Sequence, residues 1–262
     1  MNNMTRHTIH FVILVIASCV SCQAADLRFA KIFTDHCVLQ REMSVPVWGW
    51  AVPNSEVTLK FAGQQKTATA DRNGKWLARL GPMKASRESR ELTASSAGQS
   101  VTLKDVLVGE VWLCSGQSNM GLPISKAKGG KEAVANADLH HFRMFRVKQN
   151  PMYEPGADVD GDWFLCSPKN FEDGRDFSAV GFFFGRQLQK SQDCPIGLIG
   201  SYVGGSPVEA WMSAEALEAF PARRGGIRKV RTGEGHPHPI WRYGPIPVCR
   251  FPEGSKCHTC FI

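Results

Sequence analysis

Ser118 is the residue of this chain whose type and setting best suit a nucleophile. It stands in Gly116-Gln117-Ser118-Asn119-Met120, directly after the apolar run 106–114. A serine hydroxyl attacks an ester carbonyl only when a base takes its proton and the side chain is exposed. A strand end followed by a glycine, which permits a tight turn, provides that exposure. The spacing of these five residues fits an ordinary turn at the end of a strand equally well. The segment is not the Gly-x-Ser-x-Gly nucleophile elbow of α/β-hydrolases, because Met120 stands where that motif has its second glycine.

A serine nucleophile also needs a histidine base and an acid that orients it. One Asp-x-x-His arrangement occurs, in Asp138-Leu139-His140-His141. The histidines near the C-terminus, His236, His238 and His258, have no aspartate three residues before them. The sequence therefore contains one weak candidate for the dyad.

The elements before residue 106 are predicted to be strands. Alternating or β-branched runs at 45–50, 56–62, 65–70, 75–80, 90–94 and 100–104 are separated by turn residues, among them Asp71-Arg72-Asn73-Gly74. Short strands at this spacing indicate a small β-sandwich. We predict a β-rich domain over residues 26–105.

From residue 106 the pattern changes to that of an α/β domain. The near-continuous apolar run 106–114 predicts a strand covered on both faces. Further strands are predicted at 142–147 and 195–202, with a helix over 178–190 that Ser178 caps. Strand, helix and strand in this order predict a parallel sheet with helices on both sides, in a domain spanning 106–221.

The N-terminal residues 1–25 predict a signal peptide. Arg6 precedes an apolar run, 11–17, that is too short to cross a hydrocarbon core of about 30 Å. Cleavage after Ala24 would export a soluble protein. In the alternative, Ile16-Ala17-Ser18-Cys19 is a lipoprotein signal and Cys19 carries a lipid anchor. We therefore expect an exported protein, periplasmic or secreted, with no stable membrane span.

The C-terminal residues 222–262 differ from the body of the chain. They hold eight Lys/Arg and two Glu, which is six of the seven net positive charges, together with five prolines. The basic charge therefore does not indicate that the body binds nucleic acid. No strand or helix period persists over a useful length, and we interpret this segment as an atypical tail without regular structure that arose either from a shifted reading frame or from a mis-called end.

The chain resembles bacterial sialate O-acetylesterases, serine esterases of the SGNH type, over roughly residues 27–221. Residues 106–120 are similar, nearly one for one, to the first signature block of that family. The resemblance extends over three further blocks, which are 38–41 together with 46–50, then 178–186, and then 204–211. Four ordered blocks of this kind make the similarity specific.

The resemblance implies roles for particular residues. Ser118 matches the family's nucleophile, and the backbone N–H groups of Ser118 and of Gly204 or Gly205 match the donors that hold the oxyanion. Glu209 and Trp211 match a block near the substrate. The family's Gln-Gly-Glu-Ser-type segment and its late Asp-x-x-His have no match, so we expect an incomplete esterase domain.

Nine cysteines raise two further possibilities. Export would permit disulfides among Cys37, Cys114, Cys166 and Cys194, although small buried thiols are at least as good an interpretation. Cys257-His258-Thr259-Cys260 resembles half of a zinc site, but a structural zinc site needs four ligands. We expect no metal and no cofactor, because a serine esterase mechanism requires neither.

These observations predict a carbohydrate O-acetylesterase whose partner is an O-acetylated sugar or glycan. Two alternatives stay open: an esterase that acts on acetylated xylan, and a non-catalytic carbohydrate-binding remnant. The resemblance does not predict an oligomeric state, and activity of this chain is in doubt while its base is unidentified.

Overall fold

The computed structural model describes residues 26–137, 139–149, 156–206 and 219–220, and the backbone of 258–261. The predicted signal peptide, 1–25, and most of the predicted tail, 222–262, lie outside the described residues.

Eight strands form the N-terminal part of the protein. Their bounds are β1 Arg28–Phe29, β2 Val38–Gln40, β3 Val45–Trp50, β4 Glu56–Phe61, β5 Gln64–Thr69, β6 Lys75–Leu80, β7 Ser86–Ser96 and β8 Gln99–Gly116. A three-stranded sheet, β1-β3-β6, packs against strands β4, β5, β7 and β8 of a larger sheet. In β6 every second side chain is buried, as expected when one face of a strand meets a core.

Two tight hairpins connect these strands. Ala62-Gly63 joins β4 to β5, and Ala97-Gly98 joins β7 to β8, each with positive φ at both positions (47° and 75°; 47° and 79°). Two such residues in succession form the type I′ turn, whose twist matches that of the flanking strands.

Strand β8 runs through both parts of the protein. Its first residues pair with β7 and are partly exposed, whereas Val106–Glu110 and the residues that follow are mostly buried. The predicted domain boundary after residue 105 therefore falls within a continuous strand. Asp105 has φ 55°, beside an irregularity in the β7/β8 register, so the strand is locally distorted at this residue.

The C-terminal part is built from helices and strands around β8. Its elements are α1 Gly130–Ala135, β9 Leu139–Val147, β10 Gly161–Cys166, α2 Pro168–Glu172, α3 Ala179–Gln192, β11 Ile196–Tyr202 and β12 His258–Phe261, with a 3₁₀ turn at Ile124–Lys126. Strands β8, β11 and β9 are mutually parallel, and β10 adds to β9 in the antiparallel sense. The predicted α/β class with an N-terminal β-rich region is confirmed.

The two faces of this sheet are covered differently. Side chains of Phe142, Met144 and Leu198 pack in one core with Phe182 of α3. Residues that alternate with them, such as Phe145 and Ile199, join the core of the N-terminal strands. Helices on both sides were predicted, but within the described ranges the second face meets the N-terminal segment instead.

The four cysteines that were candidates for disulfides are all free and buried: Cys37, Cys114, Cys166 and Cys194. Burial raises the pKa of Cys37 to about 12, so this thiol stays protonated at neutral pH. Of the two interpretations, disulfides and small buried thiols, the structure therefore shows the second: the four cysteines pack as small apolar residues in the core.

Arg143 of β9 joins the two parts of the protein. Its guanidinium is almost fully buried and lies 3.0 Å from Asp105 Oδ2. It also donates to the backbone carbonyls of His36 and His140. Asp105 in turn lies 2.7 Å from His36 Nδ1. Burial alone would raise the pKa of Asp105, but the hydrogen bonds from His36 and Arg143 outweigh it and hold this pKa below its usual value.

Asp105→Asn is expected to reduce the free energy of unfolding by about 1–3 kcal/mol at pH 7, because Arg143 loses its counter-ion. Asparagine tolerates the positive φ of this position. Since folding lowers the pKa of Asp105, its stabilisation is complete above the unfolded value of about 3.9 and is lost as the pH falls through the lower folded value. Urea unfolding at pH 7 and along an acid series measures both effects.

Glu91→Gln, which removes an exposed carboxylate from β7, is the matched control and should leave stability nearly unchanged. A variant at Asp105 that is as stable as the wild type at pH 7 would contradict this account of the junction.

Candidate active site around Ser118

Two parallel strands end side by side and bring the predicted site residues together. Strands β8 and β11 are paired with Gly116 opposite Tyr202. Ser118 follows the end of β8, and Gly204-Gly205 follows the end of β11, so both groups lie at one edge of the sheet. The crevice at the carboxyl ends of parallel strands is where α/β proteins commonly bind ligands.

The contacts between these two turns are direct. A β-carbon placed on Gly204 would lie 3.8 Å from both Cα and Cβ of Ser118. Gln117 Nε2 donates to the carbonyl of Ser206 at 3.2 Å, and the N–H of Val203 donates to the carbonyl of Gly116 at 3.1 Å. A side chain at Gly204 would therefore stand over the serine.

Polar groups in this corner are available to a ligand. Ser118, Gly204 and Gly205 are exposed. Among the described residues, the backbone N–H groups of these three have no protein acceptor, and the hydroxyl of Ser118 has no hydrogen-bond partner. Gly205 has φ 75°, a conformation that costs other residues about 1–2 kcal/mol. The site thus combines an accessible hydroxyl with N–H groups that are free to bind an oxygen atom.

The loop that carries Ser118 is anchored by a buried side chain and by backbone hydrogen bonds to the residues at the start of α3. Met120 is fully buried, and its sulfur lies 3.2 Å from the hydroxyl of Ser178. The N–H of Ala179 donates to Leu122 at 2.8 Å, and that of Ile124 donates to Phe177 at 2.9 Å. The start of α3 therefore positions the loop.

Ser178 is also the N-cap of α3, as the sequence predicted. Its side chain accepts a hydrogen bond from the N–H of Gly181 at 3.0 Å, which satisfies one of the free N–H groups at the helix start. The same hydroxyl faces Met120, so one residue serves both the helix and the serine loop.

No histidine whose side chain the structure describes lies beside Ser118. His141 precedes Phe142, which is in register with Ile196 and Glu110 at the amino ends of the strands. This places His141 roughly 20 Å from the edge at Gly116, at about 3.3 Å per residue. Burial and the charges of Arg87 and Arg143 lower the pKa of His141. The pair formed by Asp138 and His141 is therefore excluded as the base of Ser118; Asp138 itself lies outside the described residues.

His36 and His140 also lie at the far end of the sheet. His36 pairs with Asp105, upstream of the point where β2 meets β8. The base of Ser118 is thus none of the three histidines whose side chains the structure describes. Glu209 and Trp211, which the resemblance placed near the substrate, lie outside the described residues.

Sequence reasoning missed two residues at this edge, Tyr202 and Arg146. The Tyr202 ring lies 3.2 Å from the β-carbon position of Gly121, in the serine loop, and burial raises the pKa of Tyr202 to about 12. The guanidinium of Arg146 lies 5.8 Å from the centre of that ring. The available signal was an arginine at the end of the apolar strand 142–147.

The described residues hold neither a cluster of metal ligands nor a helix that could span a membrane. No three His, Cys, Asp or Glu side chains come together there as a metal would require. No helix in the same ranges is both long and apolar enough to cross a bilayer.

Comparison with known proteins finds acetylesterases that are similar to this chain. A sialate O-acetylesterase from Rattus norvegicus is 32% identical over 224 residues, which cover 79% of this chain and 41% of the relative. A sialate O-acetylesterase from Homo sapiens is 29% identical over 240 residues, or 85% of this chain and 46% of the relative. The crystal structure of a carbohydrate acetylesterase from Xanthomonas citri superposes with a TM-score of 0.68 at 38% identity, covering 74% of this chain and 44% of that one.

The chain belongs to the sialate O-acetylesterase-like family. It spans less than half the length of these relatives. No family model matches it.

Ser178→Ala is expected to reduce the free energy of unfolding by about 1 kcal/mol, because the helix N-cap is lost. Ser191→Ala, in the exposed last turn of the same helix, is the matched control and should change it by much less. Chemical denaturation of both variants provides the comparison, and equal stabilities would show that the cap does not contribute as described.

Proposed function

We propose that this protein is a carbohydrate O-acetylesterase that works through an acetyl-enzyme on Ser118. The observation that carries the proposal is the close approach of exposed Ser118 to Gly204 at the carboxyl ends of two parallel strands. The names of the relatives, sialate O-acetylesterase and carbohydrate acetylesterase, support the substrate class.

In the proposed reaction Ser118 Oγ attacks the carbonyl carbon of an acetyl ester while a base takes the hydroxyl proton. The carbonyl oxygen becomes an oxyanion, which the N–H groups of Ser118 and of Gly204 or Gly205 would stabilise. One such donor is typically worth about 10²–10³ in rate. The sugar oxygen then leaves and takes up the proton, and water releases acetate from the serine.

The finer substrate choice rests on the resemblance to sialate O-acetylesterases, with an esterase for acetylated xylan as the alternative. A second candidate function is carbohydrate binding without catalysis. One observation favours it: His36, His140 and His141, the histidines whose side chains the structure describes, lie at the other end of the sheet from Ser118. A serine without a base loses most of its acceleration.

We further propose that the protein is exported, because residues 1–25 have the charge and apolar length of a signal peptide. Residues 26–105 would then form the β-rich domain, and 106–221 the esterase part, with β8 common to both.

Ser118→Ala is expected to lower the rate of p-nitrophenyl acetate hydrolysis by at least about tenfold, since the nucleophile is removed. Mass spectrometry of the wild-type chain treated with this ester should find the acetyl group on the peptide that contains Ser118. Ser100→Ala, on an exposed part of β8, is the control and should keep the wild-type rate. Equal rates for the wild type and Ser118→Ala would rule out catalysis by this serine and favour the binding function.

A further inference from the structure

Arg146 is a charged residue at the same edge of the sheet as Ser118. Strand β9 pairs in parallel with β11, and Arg146 is opposite Gly200, near the ends of both strands. Since β11 lies between β8 and β9, two strand spacings separate Arg146 from β8. That is about 10 Å between the backbone of Arg146 and that of Cys114, which is opposite the same Gly200 and precedes Ser118 by four residues.

The direction of the Arg146 side chain follows from the alternation of the strand. Phe142 and Met144 pack in the core beneath α3, and Arg146 is the next residue on this face. Unlike them it is exposed. The Tyr202 ring lies 5.8 Å from its guanidinium and 3.2 Å from the β-carbon position of Gly121, in the serine loop. Tyr202 therefore stands between Arg146 and the loop of Ser118.

The interactions of Arg146 leave most of its donors available. It donates one hydrogen bond, at 3.3 Å, to the backbone carbonyl of Asp176. The carboxylate of Asp176 is held elsewhere, by the hydroxyl of Ser125 and the N–H groups of Ile124 and Phe177. Within the described ranges no carboxylate forms an ion pair with Arg146.

The other cation at the end of β9 differs in this respect. Lys148 forms an ion pair with Asp160 at 3.3 Å. Arg146 is thus the cation of this strand end whose charge is not matched by a described carboxylate. A planar guanidinium suits a carboxylate, because two parallel N–H groups can donate to its two oxygens.

We propose that Arg146 is a specificity-determining residue that binds the carboxylate of an acidic O-acetylated sugar while the acetyl ester lies at Ser118. The proposal rests on the proposed function and deepens it. The charge at Arg146 favours acidic sugars, such as sialic acids, over the neutral sugars of xylan. Tyr202 supports the guanidinium through a cation–π contact and so holds the positive charge at a constant position relative to the serine loop.

The test measures binding, so that it does not depend on turnover. Isothermal titration calorimetry on the Ser118→Ala chain compares 9-O-acetyl-N-acetylneuraminic acid with its methyl ester, which lacks the negative charge. The free acid should bind about 10- to 100-fold more tightly than the ester, as expected for hydrogen bonds to a charged group.

Arg146→Gln, added to Ser118→Ala, should abolish the preference for the free acid, and Arg146→Lys should retain part of it because the charge is kept. Arg72→Gln removes another exposed arginine, from the turn before β6, and should leave the preference intact. Equal binding of acid and methyl ester to the Ser118→Ala chain would overturn the proposal, as would no binding of the acid or a preference that survives Arg146→Gln.

The failure of this inference is distinguishable from the failure of the proposed function. Hydrolysis of p-nitrophenyl acetate, an uncharged ester, by the wild type and by Ser118→Ala examines the nucleophile without any sugar carboxylate. A Ser118-dependent rate together with equal binding of acid and ester would refute the role of Arg146 alone.

Discussion

Strand β8 is hydrogen-bonded to neighbours on both of its edges, and the arrangement of the whole protein depends on this pairing. Its first part pairs with β7, the stretch Leu107–Gly109 pairs with β2, and the last residues pair with β11. Apart from the distortion at Asp105, this backbone ladder resists bending, because each N–H and C=O that loses its partner would have to find another. The N-terminal strands and the α/β part are therefore fixed relative to each other by one strand.

The pairing of β8 also positions the residues of the candidate site. The end of β8 determines where Ser118 stands, and the parallel register with β11 brings Gly204 to it. The first turn of α3 then holds the serine loop through Ser178 and Ala179. Each of these supports is a backbone interaction or a buried contact, whereas Ser118, Gly204 and Arg146 are exposed. A rigid frame with an open polar edge is the arrangement that ester transfer needs, because the carbonyl must approach the hydroxyl and the N–H groups together.

Much of this arrangement was predictable from local patterns. The alternation in 75–80 correctly predicted β6, and Ser178 with the bulky residues after it correctly predicted α3 and its cap. Strand β10 and the short helices α1 and α2 were missed, since each is short and lacks a clear period. The second face of the parallel sheet was assigned to helices, yet residues such as Phe145 pack on the N-terminal strands. Apolar character shows that a face is buried but not which element covers it.

The sequence by itself determined the candidate nucleophile, the glycine pair and the family resemblance, because these depend on residue identity and short-range order. Only the tertiary structure decided which residues share an edge. It placed His141 at the amino ends of the strands and Arg146 at the carboxyl ends, although five residues separate them in the chain. The physical reason is that an extended strand carries neighbouring residues apart by about 3.3 Å each, while parallel pairing brings distant ends together. The candidate nucleophile was evident in the sequence, and its neighbours were decided by strand register.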